Sequence, residues 1–195
     1  MLATLPRRPA ARRGATLVEA ALVISVFLLF LFGVFEYCRY LLVLHVATNA
    51  ARDGVRYATV NVSRPYNFDT TDATFVDSFG VTQPLRDSTG AQLESITKFT
   101  TKRMGGVDRM LTGREIATYP CEPAGLYTDP PTFTPKTGWT PDPNTRTVHW
   151  NDAQFTERIA VRITGTYKPL LPSFLFMNSS GFTNFRVVAV MGSEG

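Results

Sequence analysis

From Ala15 to Phe35 the chain runs for 21 residues with Glu19 as its single ionisable side chain. A helix rises about 1.5 Å per residue, so this run would span roughly 31 Å, matching the bilayer's hydrocarbon core of about 30 Å. No proline interrupts it, and its backbone groups can all be satisfied inside one helix, as lipid requires. The segment therefore reads as a single transmembrane helix. A cleaved secretory signal would have a shorter apolar region, closed by a small-x-small site; here the run leads into Phe35-Glu36-Tyr37-Cys38-Arg39.

The flanks set the expected orientation. Arg7, Arg8, Arg12 and Arg13 precede the span with no acidic companion, and the positive-inside rule keeps such an end cytoplasmic. Without these four arginines the remaining 16 basic and 16 acidic residues balance, so the formal charge of +4 belongs to the leader. The outer part carries no net positive field to attract phosphates, which argues against a nucleic-acid partner.

Three regions follow: a basic leader over 1–14, a transmembrane and amphipathic helix over 15–60, and an outer head over 61–195, long enough for one modest core. Beyond the span, Tyr37, Leu41, Leu44, Thr48, Ala51, Val55 and Ala58 recur three or four residues apart, so the helix is expected to continue to Val60 with these on one face. That face serves either the chain's own head or self-assembly; periodicity alone does not divide the two. Leu93, Ile96, Phe99, Arg103 and Met104 suggest a short helix ended by Gly105-Gly106. Ile159, Val161 and Ile163 alternate with more polar neighbours, the period of a half-buried strand, and 113–119 and 184–191 are two further β-rich runs. Seven prolines between Pro120 and Pro143 mark a Thr/Pro-rich stretch, about 120–145, as a long exposed loop. The segment 168–182, broken by Pro169 and Pro172, reads as a connection between strands. The expected fold class is α+β: a long N-terminal helix, with its end laid on a small antiparallel sheet.

Nothing in the pattern specifies catalysis or a cofactor. His45 and His149 lack the i, i+4 partner of a helical zinc site. Gly105-Gly106 lacks the Lys and Ser/Thr of a phosphate loop, and no Gly-x-Ser-x-Gly elbow occurs. Cys38 and Cys121, the only cysteines, would both lie where a disulfide is chemically permitted, but spacing does not show that they approach. Asn61-Val62-Ser63 and Asn178-Ser179-Ser180 match the short glycosylation pattern, which chance also produces.

The start of the span carries a resemblance. Arg13-Gly14-Ala15-Thr16-Leu17-Val18-Glu19 resembles the processing site of type IV prepilins, where a membrane peptidase cuts after a glycine and a glutamate stands fifth in the mature chain. The resemblance implies that Gly14 precedes the cut, Ala15 becomes the new N-terminus and Glu19 is the acid used in assembly. The free α-amine at Ala15 would be a cation buried among bundled helices, and Glu19 of a neighbour its counter-charge. Ala20 stands where many such prepilins carry an aromatic residue.

More widely, residues 12–60, with Asn-Ala-Ala-Arg-acid-Gly-x-Arg at Asn49 to Arg56, resemble the N-terminal region of the TadE-like family, pseudopilins of the tight-adherence (Tad, or Flp) pilus. Residues 157–194, with Leu170-Leu171-Pro172, are similar to the paired C-terminal strands of longer members. The resemblance implies a non-enzymatic minor pilin or pilus-assembly protein serving adhesion, surface attachment or secretion. It would sit single-pass in a bacterial inner membrane, N-terminus inside, with a periplasmic or extracellular head. The implied partners are other pilins and pseudopilins, the prepilin peptidase, the inner-membrane assembly platform and membrane lipid. The alternative is a membrane-anchored extracytoplasmic binding domain that never assembles.

Overall fold

A computed structural model describes residues 13–123, 132–154, 157–170 and 184–192, with side chains from residue 16 onward. The leader up to residue 12, the Leu170-Leu171-Pro172 turn beyond Leu170, and Asn178-Ser179-Ser180 lie outside these residues. The first element is α1 (Arg13–Val60), a single 48-residue helix. Next come a short hairpin of β1 (Thr74–Val76) and β2 (Thr82–Pro84), then α2 (Ile96–Arg103) and the strands β3 (Leu111–Pro120), β4 (Arg158–Tyr167) and β5 (Asn184–Gly192). The chain divides into two units, Met1–Arg39 and Tyr40–Gly195.

In the first unit, Leu, Val, Ile and Phe side chains from Leu17 to Phe35 are exposed all round the helix. Ser25 Oγ donates to the Ala21 carbonyl at 2.8 Å, which keeps that hydroxyl from facing an apolar medium unpaired. At the end of the run Arg39 pairs with Glu36 one turn back, at 3.2 Å.

In the second unit, β4 lies at the centre of an antiparallel sheet of order β3-β4-β5. Ile159, Val161 and Ile163 are fully buried on one face, each contributing roughly 1.5–3 kcal/mol of apolar burial. They share a core with Val43, Ala47, Ala51 and Val55 of α1, Ile96 of α2, and Phe185 and Val187 of β5. The α+β class expected from the sequence is the class observed.

The buried face of α1 differs in detail from the periodic one. Ala51, Val55 and Ala58 are buried as expected, but Val43, Ala47, Ala50 and Gly54 complete the stripe, and Leu41, Leu44 and Thr48 sit at its margin. The physical reason is approach distance: alanine and glycine let neighbouring elements pack against the helix backbone, whereas a leucine stripe would hold them off. At Gly54 a Cβ would stand 2.3 Å from Thr100 Oγ1 on α2. Ser95 caps α2 by accepting from the Lys98 amide at 3.1 Å, and Gly105 and Gly106, at φ +58° and +87°, end it as the sequence suggests.

The sheet's other face is covered by part of the Thr/Pro-rich stretch. Phe133 and Trp139 pack there against Ala117, Tyr119, Cys121 and Ala160. Trp139 Nε1 donates to the Thr118 carbonyl at 3.1 Å, and Tyr119 Oη donates to the Phe133 carbonyl at 3.0 Å. Arg146 closes this cover: its guanidinium stacks over Trp139 and pairs with Asp69 at 3.2 Å, the two side chains only 9 % and 8 % exposed.

Burial outweighs Arg146 at Asp69 and pushes its carboxyl up to about 6. An unfolded aspartate titrates near 3.9, so between these values the native state binds the proton more readily. Stability from this group therefore rises as pH falls from about 6 toward 4, by up to about 3 kcal/mol. Unfolding of the full chain in detergent at stepped pH should show a steeper acid-side gain for wild type than for Asp69→Asn. Parallel profiles would mean that Asp69 titrates normally.

Candidate functional site: the N-terminal part of α1

Gly14 and Ala15 lie within the helical backbone of α1, one residue after its start at Arg13. Glu19 follows one turn above Ala15 on the same helix face, the i, i+4 relation. It is exposed, and it makes no ion pair or hydrogen bond among the described side chains. The apolar surface around it reaches a mean hydropathy of 2.6 over 18 residues, none of that window buried. A continuous apolar surface of this size is a contact surface for lipid or other helices.

The segment Asn49 to Arg56 divides by side. Ala50, Ala51, Gly54 and Val55 face the core, while Asn49, Arg52 and Arg56 are exposed. Asp53 approaches Arg103 at 3.7 Å with both side chains largely solvated, a pair worth little to stability. The alanines and the glycine of the motif are thus packing residues. Its charges form an outward row beside a cleft whose aromatic floor is Tyr57 stacked on Phe99 at 4.2 Å.

Cys38 is exposed and Cys121 buried, and both are free. Burial pushes the Cys121 thiol up to about 12, which makes it an inert packing residue. Asn61 is also buried, its amide donating to the Tyr57 carbonyl at 2.8 Å, so it is spent on closing α1 and does not offer itself for glycosylation. His149 stacks on Tyr66 at 3.7 Å, and desolvation holds its pKa below the ordinary value. Among the described residues no three His, Cys, Asp or Glu side chains are grouped to hold a metal.

Sequence reasoning missed two things in the head. One is the contact of Gly54 with Thr100. The other is the β1–β2 hairpin, whose signal was present as Asp77-Ser78-Phe79-Gly80, an Asp-to-Gly turn of the kind that aspartate and glycine favour.

One long apolar helix joined to a small α+β head defines the class: an α+β protein in which, among the described residues, one helix is long and apolar enough to cross a membrane, by length and composition. Within that class, the family model described as TadE-like protein matches residues 14–56, the stretch whose motifs carry the resemblance. Neither the comparison with curated proteins nor that with solved structures returns a match.

Proposed function

We propose that this chain is a minor pilin or pilus-assembly subunit of a Tad (Flp) pilus, without enzymatic activity, serving adhesion, surface attachment or secretion. Prepilin peptidase removes the leader between Gly14 and Ala15. The helix then sits in the inner membrane with its N-terminus inside, and Glu19 answers the new amine of a neighbouring pilin as subunits pass through the assembly platform. The match over residues 14–56 carries this reading, because it takes in Gly14, Ala15, Glu19 and the whole Asn49–Arg56 segment. The exposed apolar surface of α1 supports it, since a helix of this kind must be covered by lipid or by other helices.

The deciding measurement is mass spectrometry of the protein purified from membranes of cells that carry the peptidase. A mature chain beginning at Ala15 is expected. Gly14→Val should retain residues 1–14 and accumulate in the membrane. A wild-type chain that keeps its leader would replace the pilin reading with that of a simple membrane-anchored binding domain.

A further inference from the structure

The head carries the same turn twice. At Asp77-Ser78-Phe79-Gly80, Asp77 Oδ1 accepts from the amides of Phe79 at 3.0 Å and Val81 at 2.9 Å, and Gly80 takes φ +77°. At Asp87-Ser88-Thr89-Gly90, Asp87 Oδ1 accepts from the amides of Thr89 at 2.8 Å and Ala91 at 3.0 Å, and Gly90 takes φ +81°. Backbone bonds close both turns alike, Asp77 to Val81 at 3.0 Å and Asp87 to Ala91 at 2.9 Å. The third position of this turn makes no demand for an aromatic, since Thr89 fills it in the second copy. Yet Phe79 stands there 88 % exposed, between Val76 at 60 % and Val81 at 51 %. Desolvating such a side chain against a partner is worth more than leaving it in water, and the Asp-Gly frame holds it ready at little ordering cost.

The head also offers a receptor of matching chemistry. A cleft of about 500 Å³ opens beside α1 and α2, within the range of ligand-sized pockets. Its apolar surface comes from the stacked Tyr57 and Phe99, from Leu93, and from Val60, which is 81 % exposed. Arg56, Arg64 and Arg103 stand around it with two acids, Asp53 and Asp87. Asp53 is engaged by Arg103 and Asp87 by its own turn, while Arg56 and Arg64 have no carboxylate partner among the described residues. The hairpin arm is complementary: from Pro65 to Leu85 the chain has aspartates and no basic residue. The Val81 and Phe79 amides hold the Asp77 carboxyl below the usual range, so it is charged at neutral pH.

We propose that the β1–β2 hairpin tip docks into this cleft on a second copy of the chain, Phe79 filling the apolar floor and Asp77 facing Arg56 and Arg64. Tip and cleft are different surfaces of one molecule, so each copy can act as donor and as receptor in this contact. It concerns the head alone and does not require the leader to be cut. A lipid surface is the less favoured occupant, since the charged Asp77 accompanies the apolar tip.

The test uses the full chain in cell membranes, with a benzophenone-bearing phenylalanine at position 79. Irradiation should give a crosslinked dimer, and the adduct should map to peptides containing Val60 or Phe99. Val60→Gln should cut that yield roughly tenfold, as expected for an interface anchor. With the probe moved to position 60, Phe79→Thr, which copies the second turn, should do the same while the thermal unfolding of the head stays unchanged. Adducts found only on lipid or on another protein, or no adduct at all, overturn the proposal. So does a yield insensitive to Phe79→Thr. Co-purification with pilus components is scored separately, and its loss or survival bears on the pilin reading and not on this contact.

Discussion

Glu19→Ala should leave a chain that inserts and is cut like the wild type, yet is missing from sheared-surface fractions and from complexes with partner pilins. Insertion is not expected to suffer, because a charged side chain in the bilayer core costs roughly 2.5–3.5 kcal/mol, less near an interface, and the substitution removes that cost. Cleavage after Gly14 should survive as well. The loss comes later, on the proposed role of Glu19, when the Ala15 amine is buried among neighbouring helices with no counter-charge. Breaking a buried pair from one side typically costs about 3–5 kcal/mol, more than a hundredfold in an assembly equilibrium. Mass spectrometry of the mature N-terminus and quantitative co-purification together read the two stages. Normal assembly of the alanine variant would reduce Glu19 to an acid tolerated near the membrane surface.

Gly54→Ala should destabilise the head, although in an open helix the same change would stabilise by about 1 kcal/mol. The new Cβ would meet Thr100 Oγ1 at 2.3 Å and the Thr100 Cβ and Cγ2 at 3.4 Å. Thr100 is fully buried, and its β-branched side chain has few rotamers to retreat into. Overpacking of this kind costs about 1–3 kcal/mol, and the melting temperature should fall by several degrees. Thr100→Ala removes the clashing hydroxyl, which has no hydrogen-bond partner among the described residues, so the double variant should recover most of the loss. The coupling, read from thermal unfolding of all four proteins in detergent, should be strongly favourable. A double variant no better than Gly54→Ala would mean that the clash is not the cause.

The elements that follow a period were legible. The apolar run specified α1, and the alternation of Ile159, Val161 and Ile163 specified β4 and its buried face. The small-residue stripe was less legible. Alanine and glycine contribute little to a hydrophobic pattern, so Leu41 and Leu44 drew the expected face toward themselves, while close approach, which no period records, set the real one. Residues 132–146 show the same limit in another form. Phe133 and Trp139 reach the sheet through packing and side chain-to-backbone bonds, Arg146 braces them through Trp139 and the Thr140 carbonyl, and neither a helical nor a strand spacing connects the three. At the candidate processing site the reverse holds: Gly14, Ala15 and Glu19 were read from local sequence, because their chemistry depends on spacing along one helix.

The covering of the sheet's second face also fixes an order of events. Trp139 Nε1 and the Lys136 amide bind carbonyls of β3, at Thr118 and Pro120, and the surface they shield includes Ala160 of β4, the strand paired with β3 across a long chain separation. That surface does not exist until β3 and β4 have met, and closing so long a loop is a slow step in a folding reaction. Val188 and Val190 of β5 gain this cover only through that pairing. The patch under Phe133 and Trp139 is thus a joint product of three strands, so a change that weakens β3–β4 pairing also strips the cover from the sheet's second face.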